Sequence, residues 1–302
     1  IFEKDEFRNE LKRSKIAFIK KIYDFIKRIR LKKYGLVVDL SLGYQLSLLT
    51  KVLGTKKRIG FNFRNRGRFL SSKLEIGGFD DKHVIEYYLD LLRLIGITDR
   101  YETELDLAVS SKLEKWADNC ISENILLGKR LIGLAPGGGK SWGQDASYRR
   151  WEPENFSYVA RSLLDKREDL FFLIFGAGDE VGLCNLIEKG LTGRVINLCG
   201  KLLLPQSIAL IKKCELILCN NGSILHIAAS QKVKTVSIFG PVDDRVYGPY
   251  PPSPRNKVVV ADRVKCRPCY KSFKYTTCQT HECLKEIDRE KVLKLMEKSL
   301  NS

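Results

Sequence analysis

Arg130-Leu131-Ile132-Gly133-Leu134-Ala135 is a short apolar run that stops at Pro136-Gly137-Gly138-Gly139-Lys140-Ser141, a proline followed by a glycine-rich loop. A brief run without polar alternation suits a strand of a parallel sheet buried on both faces. The residues that follow repeat the pattern. Helical spacing at 153–166 leads to Leu170-Phe171-Phe172-Leu173-Ile174-Phe175, and 180–189 leads to a strand at 194–198. Then 205–212 leads to Leu216-Ile217-Leu218, and 223–230 to Thr235-Val236-Ser237-Ile238-Phe239. This alternation predicts an α/β fold built on a doubly wound parallel sheet. Ligands of such sheets bind outside the carboxyl ends of the strands, so the loops there are the candidate site.

Upstream, helical spacing at 112–126 precedes the run, and the boundary between two domains is expected after residue 126. A chain of 302 residues that is 44% hydrophobic has material for two cores. Residues 6–33 repeat apolar positions among many lysines and arginines, a basic amphipathic helix or helix pair. One reading makes it a cover for its own domain, the other a contact with a membrane surface. Tyr34-Gly35-Leu36-Val37-Val38-Asp39-Leu40 reads as a buried strand, followed by a helix at 44–53, a strand at 58–61 and a helix at 82–95. The first residue is Ile1, so the sequence is expected to begin inside a longer protein.

Lys and Arg number 53 against 36 Asp and Glu, a formal charge of +17. That charge attracts nucleic acid, a phospholipid surface or a phosphorylated small molecule. No apolar run reaches the roughly 18 residues a membrane span requires, and residues 1–34 are too charged for a secretory signal. A cytoplasmic protein is the expectation. Five of the nine cysteines, Cys120, Cys184, Cys199, Cys214 and Cys219, are scattered singly, as reduced thiols acting as small hydrophobes would be.

Three loops follow predicted strands. In Gly137-Gly138-Gly139-Lys140 the glycines allow close approach of a ligand, and backbone N–H groups there suit phosphate oxygens. The nucleotidase P-loop needs glycine six places before its lysine, where this chain has Leu134, so that class is set aside. Gly176-Ala177-Gly178-Asp179-Glu180 is a tight turn whose Glu180 either accepts from a ribose or sits favourably at a helix N-terminus. In Asn220-Asn221-Gly222-Ser223-Ile224-Leu225-His226 a helix begins near Ser223, and its N-terminus carries roughly half a positive charge. Asn221, Gly222 and Ser223 are the expected donors there. His226, one turn in, reads equally as a core histidine or a phosphate ligand.

Taken in order, these segments resemble glycosyltransferase family 9, the ADP-heptose–lipopolysaccharide heptosyltransferases. The resemblance runs from about residue 33 to the end. It rests on Pro136-Gly137-Gly138, Arg149-Arg150-Trp151-Glu152-Pro153-Glu154, Gly176-Ala177-Gly178-Asp179-Glu180, Leu198-Cys199-Gly200-Lys201, Asn221-Gly222-Ser223-Ile224-Leu225-His226 and Phe239-Gly240-Pro241-Val242-Asp243. It implies a GT-B fold, two Rossmann-like domains facing across a cleft, the first lacking its opening strand and loop. It also implies inverting transfer of a heptose from an ADP-sugar to a lipopolysaccharide-core or related saccharide acceptor. By resemblance the donor site comprises Gly137, Gly138, Gly139, Lys140, Arg149, Gly176, Glu180, Asn221, Gly222, Ser223 and His226, with Arg149 or Lys140 and the helix N-terminus stabilising the leaving diphosphate.

Two departures stand out. The family's acidic residue is Asn221 here, with glycine and small hydroxyl residue exchanged at 222 and 223. The family's catalytic base lies on an opening strand that nothing before Tyr34 resembles, so no residue of the chain is assigned as base. No Asp-x-Asp pair occurs, and no divalent metal is expected at the diphosphate.

Cys266, Cys269, Cys278 and Cys283, with His281 among them, have spacing that suits structural zinc or iron as well as unliganded thiols. Other readings of the chain are a non-catalytic sugar-nucleotide sensor and a nucleic-acid-binding protein. Against the latter, the aromatics do not interleave with the basic residues, and no specific nucleic-acid partner is expected.

Overall fold

Ser14 divides the basic N-terminal stretch into two helices, α1 (Lys4–Arg13) and α2 (Lys15–Leu31), its hydroxyl capping α2 by accepting from the Ala17 N–H at 3.3 Å. These open the first of two units, Ile1–Arg100 and Tyr101–Ser302, in a computed structural model that describes residues 4–98, 103–124, 126–139, 143–191, 193–275 and 278–302. In the first unit β1 (Leu36–Asp39), α3 (Tyr44–Val52), β2 (Lys57–Phe63), β3 (Ser72–Ile76) and α4 (Val84–Asp90) follow. The three strands are parallel in the order β1-β2-β3. Phe61 on the central strand packs edge-on against Phe79, with ring centroids 5.4 Å apart, and Tyr87 lies 4.7 Å from Phe79.

The second unit begins with α5 (Ser111–Glu123) and β4 (Arg130–Ala135). It continues through α6 (Pro153–Lys166), β5 (Leu170–Ile174), α7 (Val181–Lys189), β6 (Val195–Asn197), α8 (Leu204–Lys213), β7 (Leu216–Asn220), α9 (Ser223–Ser230) and β8 (Lys234–Ile238). The final elements are α10 (Asp244–Tyr247), β9 (Asn256–Val259), the ribbon β10 (Tyr270–Lys271) and β11 (Lys274–Tyr275), α11 (Glu282–Lys285) and α12 (Arg289–Leu300). Six parallel strands form one sheet in the order β6-β5-β4-β7-β8-β9. Counted within the unit this is 3-2-1-4-5-6, the dinucleotide-binding order, and the direction of winding reverses between β4 and β7.

Successive residues of each strand feed opposite layers, which is why the runs are apolar throughout. Ile132, Leu134, Phe172, Ile174, Leu216 and Leu218 join α6, α7 and α12 on one face. Leu131, Ala135, Leu173, Phe175, Ile217 and Cys219 join α5, α8 and α9 on the other.

The expected boundary at 126 moves to the end of the first unit, because α5 belongs to the second. Its Ala117 is fully buried in that unit's core, and Glu114 and Asp118 pair with Lys212 and Lys213 of α8. Among the described residues no helix is long and apolar enough to cross a membrane.

Candidate functional site

The loops after β4 and β7 flank the point where the winding reverses, and the side chain of Asn220 holds them together. Its Nδ2 donates to the Pro136 carbonyl at 2.6 Å and its Oδ1 accepts from the Trp151 N–H at 3.1 Å, all fully or nearly fully buried. Trp151 thereby anchors the start of α6 with its indole buried against Phe156, centroids 5.4 Å apart. Sequence reasoning quoted Asn220 but assigned it nothing. Its burial at a strand end, with both amide functions needing partners, was the available signal.

A second fastening is Glu180. The carboxylate is 5% exposed and accepts from the Ala177 N–H at 2.9 Å and the Gly139 N–H at 3.2 Å, with Arg150 Nη2 at 3.5 Å. A Cβ on Gly137 would lie 2.1–2.3 Å from that carboxylate, so residue 137 must be glycine for the clamp to close. Gly139, at φ +69°, takes a left-handed conformation that side chains disfavour. Glu180 therefore ties the glycine loop after β4 to the loop after β5 while also lining a cavity between them.

That cavity, about 240 Å³, has walls of Phe175, Leu202, Leu204, Ile224 and Ile227. Gly137, Gly176, Glu180 and Asn220 complete it. An adjacent one of about 380 Å³ is lined by Gly138 and by the polar-tipped side chains of Arg149, Asn221, His226, Tyr247 and Tyr270. Gly139, Gly222 and Ser223 line both. The apolar wall residues and the two tyrosines were not expected from the sequence, because their separate positions along the chain carry no local motif.

At this shared edge α9 begins, with Gly222 as its N-cap and no side-chain cap. No described residue accepts from the N–H groups of Gly222, Ser223 or Ile224, the orphan donors of a helix start. Asn221 is corrected as a backbone donor: its N–H is bonded to the Ile238 carbonyl at 3.1 Å. Arg149 is 8% exposed, and its Nη2 donates to the Gly138 carbonyl. Burial pulls its pKa below the ordinary arginine value, against a smaller opposing influence from Tyr270. His226 is half-buried, one turn into α9. The structure thus gathers Gly137, Gly138, Gly139, Arg149, Gly176, Glu180, Asn221, Gly222, Ser223 and His226 around two cavities, whereas Lys140 lies outside the described residues.

The cysteines form a separate group. Cys266 is exposed, Cys269 and Cys278 half-buried and Cys283 buried. Burial pushes Cys283 up to about 11, and charge on the other three thiols adds to the effect. Cys278 is lowered, first by the His281 N–H, which donates to its Sγ at 3.4 Å. The His281 Nε2 is buried without a described partner, and its ring lies 4.5 Å from that of Tyr148. Among the described residues no three His, Cys, Asp or Glu side chains stand together so as to hold a metal ion, and 276–277 beside Cys278 lie outside them.

Comparison with known proteins gives the same fold and loops a family. A lipooligosaccharide heptosyltransferase 2 of Campylobacter jejuni is 30% identical over 94% of this chain and 82% of its own length. Lipopolysaccharide heptosyltransferase 3 of Escherichia coli is 25% identical over 77% of this chain and 66% of its own. The solved structure of E. coli ADP-heptose lipopolysaccharide heptosyltransferase II matches 93% of this chain and 81% of that one, with TM-score 0.74 and 22% identity. A family 9 glycosyltransferase from Veillonella parvula matches with TM-score 0.76 and 21% identity, over 94% and 79%. The fold is that of these GT-B transferases. The family model for glycosyltransferase family 9 (heptosyltransferase) matches residues 22–279, and the chain belongs to that family.

Proposed function

We propose that the chain is an inverting glycosyltransferase that takes a heptose from ADP-heptose and passes it to a lipopolysaccharide-core acceptor. One observation carries the donor assignment: a cavity with apolar walls and a second one carrying Arg149, Asn221 and His226 share the uncapped start of α9, at the point where a 3-2-1-4-5-6 sheet reverses its winding. The apolar cavity suits the adenine, and Glu180 at its edge suits the ribose. The N–H groups of Gly222, Ser223 and Ile224 suit the diphosphate, and the Arg149 side suits the sugar.

In the transfer an acceptor hydroxyl oxygen bonds to the anomeric carbon as the carbon–oxygen bond to the β-phosphate breaks. The bonding pair leaves with ADP, and the acceptor proton passes to a base that we assign to no residue of this chain. Arg149 and the start of α9 stabilise the charge that grows on the departing diphosphate. This needs no divalent metal there, a point we also propose.

Three further readings belong to the same proposal. The first unit is the acceptor side, and the enzyme works in the cytoplasm. Peripheral contact with an anionic membrane is proposed for α2, where Ile16, Ile19 and Tyr23 are 81%, 65% and 64% exposed among basic residues. Structural zinc or iron is proposed at Cys266, Cys269, Cys278 and Cys283, for which the thiols and the unpartnered His281 nitrogen offer suitable donors.

Competition calorimetry tests the donor reading. ADP-heptose is expected to bind and to be displaced by ADP, while a UDP-sugar at the same concentration displaces neither. Displacement by UDP-sugar as effective as by ADP would contradict it.

A further inference from the structure

The four clustered thiols stand apart from the donor cavities, but the chain between them does not. There β10 and β11 form a hairpin closed by Ser272-Phe273, both left-handed at φ 48° and 60°. A two-stranded ribbon this short holds no position of its own, so what fastens it decides what it does.

It is fastened to the loop that follows β8. The Cys269 and Tyr270 N–H groups both donate to the Pro241 carbonyl, at 3.0 and 3.1 Å. Arg267 is largely buried; its Nε donates to the Gly240 carbonyl at 3.2 Å, and its Nη2 to the Val242 carbonyl at 3.4 Å and the Asp244 carboxylate at 3.0 Å. One guanidinium thus gathers three points of the loop in a single plane, which a lysine cannot do. Past the hairpin, α11 approaches the same loop so closely that a Cβ on Gly240 would lie 2.8 Å from the Leu284 side chain and 3.4 Å from the Cys283 Sγ. The His281 ring lies 4.5 Å from that of Tyr148, the chain neighbour of Arg149.

This fastening brings Tyr270 to the cavity of about 380 Å³, beside Arg149, Asn221 and His226. Its ring meets that of Tyr247 at 61°, centroids 5.9 Å apart, and both rings line this cavity and not its neighbour. Gly222 and Ser223, at the edge shared by the two cavities, present the N–H groups that suit a diphosphate. A phenol ring offers a diphosphate little. A sugar ring, in contrast, has C–H faces for an aromatic wall and hydroxyls for the polar groups beside it.

We infer that Tyr270 contacts the sugar half of a nucleotide-sugar donor, and that Arg267 is the positioning residue that holds it there. The sugar contact rests on the donor reading above. It makes the cysteine-rich segment a wall of the transferase site as well as a cluster of thiols.

Calorimetry on the full chain, with ADP-heptose and ADP compared, tests it. Tyr270→Ala is expected to weaken ADP-heptose about tenfold and to leave ADP within about twofold of wild type. Tyr270→Phe keeps the ring and should recover most of the loss. Arg267 lines neither cavity, yet Arg267→Ala should show the same selective loss, partly recovered in Arg267→Lys. Lys271→Ala, at an exposed position of the same ribbon, should change neither affinity. If Arg267→Ala does not fold, Arg267→Lys decides, with a smaller loss confined to ADP-heptose. Equal losses for the two ligands in Tyr270→Ala, or no loss for either, would overturn the inference and leave the donor reading in place. An Arg267 variant that weakens both ligands alike would reduce that residue to a structural role and overturn its half. Wild-type protein that binds neither ligand would overturn the donor reading, and the sugar contact with it.

Discussion

Arg149 shows how much one residue's placement adds to its identity. In sequence it was a basic residue two places before a tryptophan. In the fold it is a desolvated cation against the glycine loop, beside the start of α9. A cation already stripped of water gains more from an anion than an exposed one does, and a charge-assisted contact is worth about 1.5–3 kcal/mol. Arg149→Ala is therefore expected to lower affinity for ADP by roughly tenfold to a hundredfold more than for AMP, by calorimetry. Equal losses would place the guanidinium away from the β-phosphate. Glycine requirements were legible at 137 and 139, where a clamp and a left-handed backbone impose them. The partners of Glu180 were not, because a carboxylate beside a turn fits a ribose and a backbone clamp equally until the neighbouring loop is placed.

At the scale of elements, strands with a continuous apolar run announced themselves, the edge strands β1 and β6 included, and two edge strands without such a run did not. β3, Ser72-Lys73-Leu74-Glu75-Ile76, alternates polar and apolar at the rim of its sheet. β9 is four residues long and begins Asn256-Lys257. Both went unread, since the continuous apolar run was the signal followed. α5 was assigned to the wrong unit for a related reason: an amphipathic stripe shows that a helix packs, not on which core. The cysteine segment is the element whose role chemistry alone can decide. Protein purified anaerobically without added metal is expected to carry about one equivalent of zinc or iron by elemental analysis, released as the thiols are alkylated. Metal-free protein of unchanged melting temperature would leave the four thiols as packing residues.

For the whole molecule, a charge of +17 said only that anions are attracted, and the fold distributes that attraction. Basic residues held in ion pairs add nothing to that excess, which shows instead on α2 and in the Arg64–Arg68 turn, and one buried cation, Arg149, stands beside the cavities at the start of α9. The central claim is that the start of α9 holds the donor diphosphate, and thermal unfolding tests it most directly. ADP at about 100 times its dissociation constant should add roughly 2.7 kcal/mol and raise the melting temperature by a few degrees, whereas adenosine should do much less. A Cβ at residue 222 would sit in ordinary contact, 3.6 Å from the Gly138 carbonyl group, and the backbone there is extended at φ −162°. Gly222→Val should thus keep the ligand-free melting temperature close to that of wild type, yet abolish the ADP shift by filling the edge shared by the two cavities. An ADP shift that survives in Gly222→Val, or that adenosine reproduces, would contradict the account.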